Sequence, residues 1–134
     1  MVAGHLIQGQ AGEDAAVQLL ETLGFQILER NWRCRAGEVD VVCLDRDTVV
    51  FVEVRTRADV ARTSPTESVT RSKVTKLARA ASFYLSQRDW WKRPCRFDVV
   101  AVVRTKQGYR LEHIPDAFSF PQALGRGRNP WQPW

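Results

Sequence analysis

Two valine-rich segments separated by a short polar turn constrain the fold of this chain more than any other sequence feature. The segments are Glu38 to Leu44 and Thr48 to Arg55, and the residues between them are charged. Two β-prone segments around a two-residue turn at Arg46-Asp47 predict an antiparallel β-hairpin. In that register, residues at equal distances from the turn lie opposite each other.

The side chains of this hairpin alternate between two faces, and the pattern makes one face wholly apolar. The other face is apolar near the turn and charged at the open end of the hairpin. We expect both faces to be covered by helices. The apolar face would carry Val39, Val41, Cys43, Val50, Val52 and Val54, and the charged end would carry Glu38, Asp40, Glu53 and Arg55.

The charged end of the hairpin places Asp40 directly opposite Glu53, at roughly 5 Å between Cβ atoms. Two facing carboxylates repel each other, so one should titrate abnormally unless a cation lies between them. A divalent ion such as Mg²⁺, which takes oxygen ligands, would remove this conflict. The alternative is a solvated strand end with a Glu38–Arg55 ion pair. A register slip of one residue would separate the two carboxylates.

The remaining segments predict an α/β domain with a mixed sheet flanked by helices, in the order α-β-β-β-α-β. This domain would span residues 1–115, and residues 116–134 would form an irregular tail rich in Pro, Arg and Trp. Around the hairpin, the pattern predicts a helix over 8–23, a strand over 25–32, a basic turn over 33–37, a polar stretch over 56–65, a helix over 66–87, a strand over 96–103 and an edge strand over 108–114.

The first helix contributes a third candidate carboxylate, Glu13. On a helical wheel it falls within the apolar stripe of Ala16, Leu19, Leu20 and Leu23, and a glutamate on a core-facing side needs a partner. The alternative is that Glu13, near the helix start, only complements the helix dipole.

Composition and charge narrow the classes of partner. The net charge of +5 and the pI near 9.6 favour polyanions such as nucleic acid. No apolar run approaches the roughly 18 residues of a membrane span, so we expect no membrane association. The first residues show no signal-peptide pattern, and the three cysteines lack disulfide or zinc spacing. We therefore expect a cytoplasmic protein.

Several motifs together resemble the YraN family of small bacterial nuclease-like proteins, within the PD-(D/E)XK, or restriction-endonuclease-like, superfamily. That family is related to archaeal Holliday-junction resolvases, and the resemblance covers roughly residues 5–115. The motifs are Gly9-x-x-Gly12-Glu13-x-Ala15-Ala16, Leu23-Gly24-Phe25, Arg30-Asn31-Trp32-Arg33, Gly37-Glu38-Val39-Asp40, Val52-Glu53-Val54-Arg55 and Phe97-Asp98-Val99-Val100.

The resemblance implies a metal-dependent endonuclease acting on DNA, including branched or recombination intermediates, with Mg²⁺ or Mn²⁺ as cofactor. It implies that Asp40 and Glu53 are metal ligands and that Glu13 is the helix-one acid. Arg55 stands where the superfamily has a lysine. Its charge can stabilise the developing charge on the phosphate, but arginine is poorly suited to the proton transfer that lysine can perform. Lys73, on the sheet-facing side of the second helix, either supplies an amine there or extends its head group to solvent.

Basic residues near this end of the sheet predict contacts with a nucleic-acid backbone, and resolvase-like action would favour a homodimer. The alternatives are a nucleic-acid-binding module without turnover and a scaffold that binds protein through its tail. Asp98 is either a further polar group of the site or a strand-end residue, and Trp32, Trp90 and Trp91 either stack on bases or pack. The predicted backbone contacts are Arg30, Arg33, Arg35, Arg57, Lys73 and Lys76.

Overall fold

The computed structural model describes residues 2–58 and 71–119 of the chain, with side chains from Gln10 onward. Its five strands form one sheet in the order β1-β2-β3-β4-β5. Strands β3 and β4 are parallel, and the other neighbouring pairs are antiparallel. The elements are α1 (Val2–Thr22), β1 (Gln26–Cys34), β2 (Gly37–Asp45), β3 (Thr48–Ala58), α2 (Arg71–Arg88), β4 (Cys95–Thr105) and β5 (Gly108–Phe118).

The predicted fold class is confirmed, with β5 as a seventh element after the predicted order. Strand β5 continues to Phe118 and therefore includes the first three residues of the predicted tail. The predicted helix start at Thr66, most of the polar stretch before it, and the tail from residue 120 lie outside the described residues. Neither helix of the described chain has the length and apolar character of a membrane span.

Helix α1 ends where its sequence predicts. Gly24 has a φ of 91°, and its N–H donates to the carbonyl of Glu21, while the N–H of Phe25 donates to Leu20. These two bonds form a Schellman motif, which needs a residue with positive φ at this position. The helix buries Ala16, Val17 and Leu20, but Leu23 is 48% exposed, so its predicted place in the buried stripe is wrong.

The predicted hairpin register is confirmed from Asp45–Thr48 to Val41–Val52. The β2–β3 ladder ends at the Val41–Val52 pair, so the pairs predicted beyond Val52 do not form. There the backbone N–H of Val54 donates to Oδ2 of Asp40 at 2.8 Å. A side-chain oxygen thus accepts the strand N–H where the ladder opens.

Strands β1 and β2 change face at the same level. Val39 packs in the cluster under α2, whereas Val41 packs in the cluster under α1, so the predicted common face for these two residues is wrong. Asn31, between the paired residues Arg30–Val41 and Trp32–Val39, has a φ of 52°. A left-handed residue interrupts side-chain alternation, and this explains the change of face.

The core consists of two clusters, one on each face of the sheet. The α2 cluster is the more aromatic: Tyr84 makes edge contacts with Trp32 at 5.2 Å and Phe51 at 5.9 Å between ring centroids. Trp90 and Trp91 pack against the same cluster, which supports packing over base stacking for these tryptophans. Burial of each such ring stabilises the fold by roughly 1.5–3 kcal/mol.

Asp98 is the buried charge that ties β5 to the sheet. Its side chain is 0% exposed and lies on the α1 face of β4, opposite to Phe97. Its carboxylate accepts from Arg96 Nε at 3.0 Å and from the Asp116 N–H at 3.0 Å, and lies 2.8 Å from His113 Nε2. A buried carboxylate with this many partners is a structural anchor.

Candidate functional site

The open end of the β2–β3 hairpin brings Asp40 and Glu53 together, as the sequence predicted. Asp40 is half-buried, its Oδ2 accepts the Val54 N–H, and its carboxyl lies near enough to Glu53 for the two acidic groups to interact. Glu53 follows Phe51 on the side of β3 that α2 covers, and its side chain is 13% exposed. Two acidic groups therefore meet at the edge of the core.

Burial and the charge of Glu53 raise the pKa of Asp40 from its ordinary value of 3.8 to about 7. The hydrogen bond from the Val54 backbone acts in the opposite direction but does not offset them. With a pKa of about 7, Asp40 gains a proton as the pH falls through neutrality, whereas an ordinary aspartate stays ionised until the pH approaches 3.8.

Two cations approach Glu53 from different elements. Arg55 of β3 places NH1 at 3.7 Å from Oε1 of Glu53, and Lys73 of α2 places Nζ at 3.5 Å from the same oxygen. The Arg55 side chain is 27% exposed and that of Lys73 is 51% exposed. Glu38, which the alternative interpretation pairs with Arg55, lies 3.0 Å from Arg33.

A cavity of about 210 Å³ opens beside this group, between the start of β2 and the first half of α2. Helix α2 lies very close to β2 here: a Cβ on Gly37 would lie 3.2 Å from the carbonyl oxygen of Lys76, and Gly37 has a φ of 155°. Glycine is therefore required at this position. The cavity is lined by Gly37, Glu38, Glu53, Lys73, Lys76 and Leu77.

Four of the six predicted backbone-contacting residues lie at this end of the sheet. Lys73 and Lys76 line the cavity, and Arg33 and Arg35 are exposed near the β1–β2 turn that precedes Gly37. We call Arg33, Arg35, Lys73 and Lys76 the basic rim.

The structure does not bring the other two predicted contacts to the basic rim. Arg30 pairs with Asp14 of α1 at 2.6 Å, on the other face of the sheet. Arg57 is 16% exposed and lies 3.7 Å from Glu112 of β5. Side-chain alternation and the change of face in β1 explain why these neighbours in sequence point elsewhere.

Glu13 lies half-buried on α1. The adjacent Gly12 faces Thr56 and Val102, where an added Cβ would come within 3.0 Å of the Thr56 hydroxyl. Within residues 2–58 and 71–119, no group of three or more His, Cys, Asp or Glu side chains is arranged to hold a metal. Glu13 therefore belongs to no such group among the described residues, and its role as the helix-one acid stays a prediction.

The donor set of this pair fits a hard divalent cation. Mg²⁺ is commonly held by one or two carboxylates, with water and substrate phosphate completing its coordination. Burial and the charge of Glu53 both disfavour ionised Asp40, and a divalent cation held by the two carboxylates would offset both effects. Asp40 and Glu53 would therefore suit Mg²⁺ or Mn²⁺.

Sequence reasoning missed two features near the site. The Val54 N–H as a donor to Asp40 was missed because the hairpin was expected to continue as a regular ladder. The Asp98 network was also missed, and its one signal was Arg96 two residues before Asp98, which places both side chains on one strand face.

Fold and site together define a small mixed α/β protein with a carboxylate pair beside a basic rim. The sequence model of the uncharacterised protein family UPF0102 matches residues 12–102, a span that includes Glu13, Asp40, Glu53 and Lys73. The chain belongs to this family, and the family-level resemblance expected from the motifs is confirmed.

Relatives from three bacteria support the same assignment. A UPF0102 protein of Nitratidesulfovibrio vulgaris strain DP4 is 47% identical over 134 residues, which is 100% of each chain. A UPF0102 protein of Lawsonia intracellularis is 42% identical over 126 residues, covering 94% of this chain and 96% of the relative. One from Persephonella marina is 41% identical over 112 residues, covering 84% and 93%.

Proposed function

We propose that this protein is a metal-dependent endonuclease of the restriction-endonuclease-like superfamily that hydrolyses phosphodiester bonds in DNA. The observation that carries the proposal is the Asp40–Glu53 pair, which lies beside a cavity lined by Glu53, Lys73 and Lys76. Paired carboxylates next to lysines are a combination suited to a metal ion and a phosphate together.

The residues of the site divide into two roles. Asp40 and Glu53 would hold Mg²⁺ or Mn²⁺, and the bound ion would lower the pKa of a water molecule and balance charge on the phosphate. Arg55 and Lys73 bring positive charge to within 4 Å of Glu53 and hold its carboxylate beside the cavity. Glu13 lies on the part of α1 that the family model matches, and the proposal gives it no further role.

DNA is the proposed substrate because the basic rim and the net charge of +5 favour a phosphate backbone. Branched or recombination intermediates and a homodimer that engages two strands remain predictions from the sequence resemblance. A cytoplasmic location remains a prediction from the start of the sequence and the cysteine pattern. The free cysteines Cys34, Cys43 and Cys95 are compatible with a reducing compartment.

The test is a cleavage assay on branched, single-stranded and linear duplex DNA with Mg²⁺, Mn²⁺ or EDTA. We expect cleavage of at least one substrate with metal and none with EDTA. Asp40→Asn keeps the shape of the side chain but removes its charge, so cleavage must disappear in this variant. Cleavage by Asp40→Asn at the wild-type rate would show that another site, or another protein, carries the activity.

A second candidate function is nucleic-acid binding without turnover. It is favoured by the two cations, Arg55 and Lys73, that already balance Glu53 without metal. The two functions differ in an anisotropy titration with labelled DNA. Binding that is equally tight in EDTA and in Mg²⁺, with no product in either, would support the binding module and contradict the nuclease.

A further inference from the structure

Arg55 and Lys73 reach the same oxygen of Glu53, but their surroundings differ. Lys73 lines the cavity together with Glu53, and about half of its side chain is exposed. Arg55 is not among the lining residues, and its side chain is only 27% exposed. Of the two cations, Lys73 is the one with direct access to a molecule in the cavity.

We propose that Lys73 is the residue that contacts the scissile phosphate, with Lys76 binding the neighbouring backbone, and that Arg55 is a positioning residue for Glu53. This division of roles differs from the one implied by the sequence motif, in which Arg55 faces the phosphate. It rests on the proposed function in one respect, that the ligand of the site is a phosphodiester.

The geometry of α2 supports this assignment. Lys73 and Lys76 are three residues apart, so their side chains lie on the same face of the helix at roughly 5–6 Å between Cβ atoms. Lys76 is also held at its backbone, because its carbonyl and Cβ lie against Gly37. The close approach of α2 to β2 thus places two lysines along one wall of the cavity.

The energetics of the two ion pairs point in the same direction. A half-exposed lysine paired at 3.5 Å gains little from that pair, because surface ion pairs are worth roughly 0–1 kcal/mol. Lys73 can therefore exchange Glu53 for a phosphate at small cost. Arg55 is less exposed, and its planar guanidinium loses less freedom per hydrogen bond, so it remains with the carboxylate.

The test compares the salt dependence of DNA binding in Lys73→Met, Lys76→Met and Arg55→Gln. Binding of a labelled duplex oligonucleotide is measured by fluorescence anisotropy in Ca²⁺ at several salt concentrations. In a plot of the logarithm of the binding constant against the logarithm of the salt concentration, each lost phosphate contact should reduce the steepness of the slope by about 0.9. We expect this reduction in both lysine variants and an unchanged slope in Arg55→Gln. Lys92→Met, which removes an exposed lysine outside the cavity, is the matched control and should keep the wild-type slope.

The role of Arg55 is tested by steady-state cleavage kinetics with the same variants. Arg55→Gln should lower kcat and leave KM near wild type, and Arg55→Lys should restore most of kcat. Lys73→Met should lower kcat, Lys73→Arg should retain most of it, and Lys76→Met should mainly raise KM. Thermal unfolding shows whether each variant is folded. If Arg55→Gln does not fold, the kinetics of Arg55→Lys still test the role of Arg55.

The binding and cleavage measurements separate this inference from the proposed function. If the wild-type protein binds DNA but cleaves none of the substrates, the proposed nuclease function is wrong. The salt dependence of binding still decides which cation contacts the phosphate. If the salt-dependence slope is unchanged in Lys73→Met, or is reduced in Arg55→Gln instead, the inference is wrong. The proposed nuclease function is unaffected by that result if the wild-type protein cleaves DNA. Wild-type protein that binds no DNA overturns both.

Discussion

Asp40→Asn should stabilise the metal-free protein at pH 8, although it removes a charge that the proposed function requires. Burial and the neighbouring Glu53 raise the pKa of Asp40 from 3.8 to about 7. At about 1.4 kcal/mol per pKa unit, ionising Asp40 in the folded protein costs up to about 4 kcal/mol, and solvent access at this half-buried site reduces this to about 2–4 kcal/mol. Asparagine avoids that cost, and its side-chain oxygen can still accept the Val54 N–H.

The sign of the effect follows from the direction of the pKa change. The folded protein binds this proton more tightly than the unfolded chain, so the cost of ionisation is absent below pH 3.8. It grows between pH 3.8 and about 7, and it is complete above pH 7. The difference in unfolding free energy between Asp40→Asn and wild type should therefore rise over this interval and then stay level.

Urea unfolding of both proteins in EDTA, from pH 4 to pH 8.5, measures this difference directly. Asp47→Asn, at an exposed turn position, is the control for a lost carboxylate without burial. A difference that does not change with pH would refute the electrostatic account. Mn²⁺ at about a hundred times its Kd should add about 2.7 kcal/mol to wild type and much less to Asp40→Asn.

Three further changes test other parts of the structure. Asp98→Asn should lower the unfolding free energy by about 3 kcal/mol, because Arg96 and His113 lose a buried charge partner; thermal melts with Asp47→Asn as control check this. Gly37→Ala should cost more stability than Gly108→Ala in the same melts: both have positive φ, but only Gly37 would clash with Lys76. Replacing Arg33 and Arg35 together with alanine should weaken DNA binding without changing the melting temperature, and binding that is flat between low and physiological salt would contradict a phosphate-based interface.

The fold was predictable because local signals agreed with each other. The turn residues between Asp45 and Thr48 and the valine alternation beyond them set the hairpin register, which the structure confirms for every pair up to Val41–Val52. Gly24 marked the end of α1, and the apolar stretch after Arg96 marked a strand buried on both faces. In each case one short segment contained the whole signal.

The site was predictable only in part, because some of its contacts depend on departures from regular geometry. The meeting of Asp40 with Glu53 follows from the hairpin, and the approach of Lys73 follows from its wheel position on α2. The positive φ of Asn31 could not be predicted from the sequence, and at the same level Val39 lies on the α2 face instead of the predicted one. Contacts set by the packing of α2 on Gly37 likewise require the folded chain.

The hydrogen bond from the Val54 amide to Asp40 makes a backbone proton sensitive to the chemistry of the carboxylate pair. Protonation of Asp40, or its engagement by a cation, changes the electron density on the accepting oxygen and hence the strength of this bond. The ¹H and ¹⁵N resonances of Val54 therefore serve as an internal indicator in an NMR titration. The state of the acidic pair becomes readable in the intact protein, with no label placed in the site.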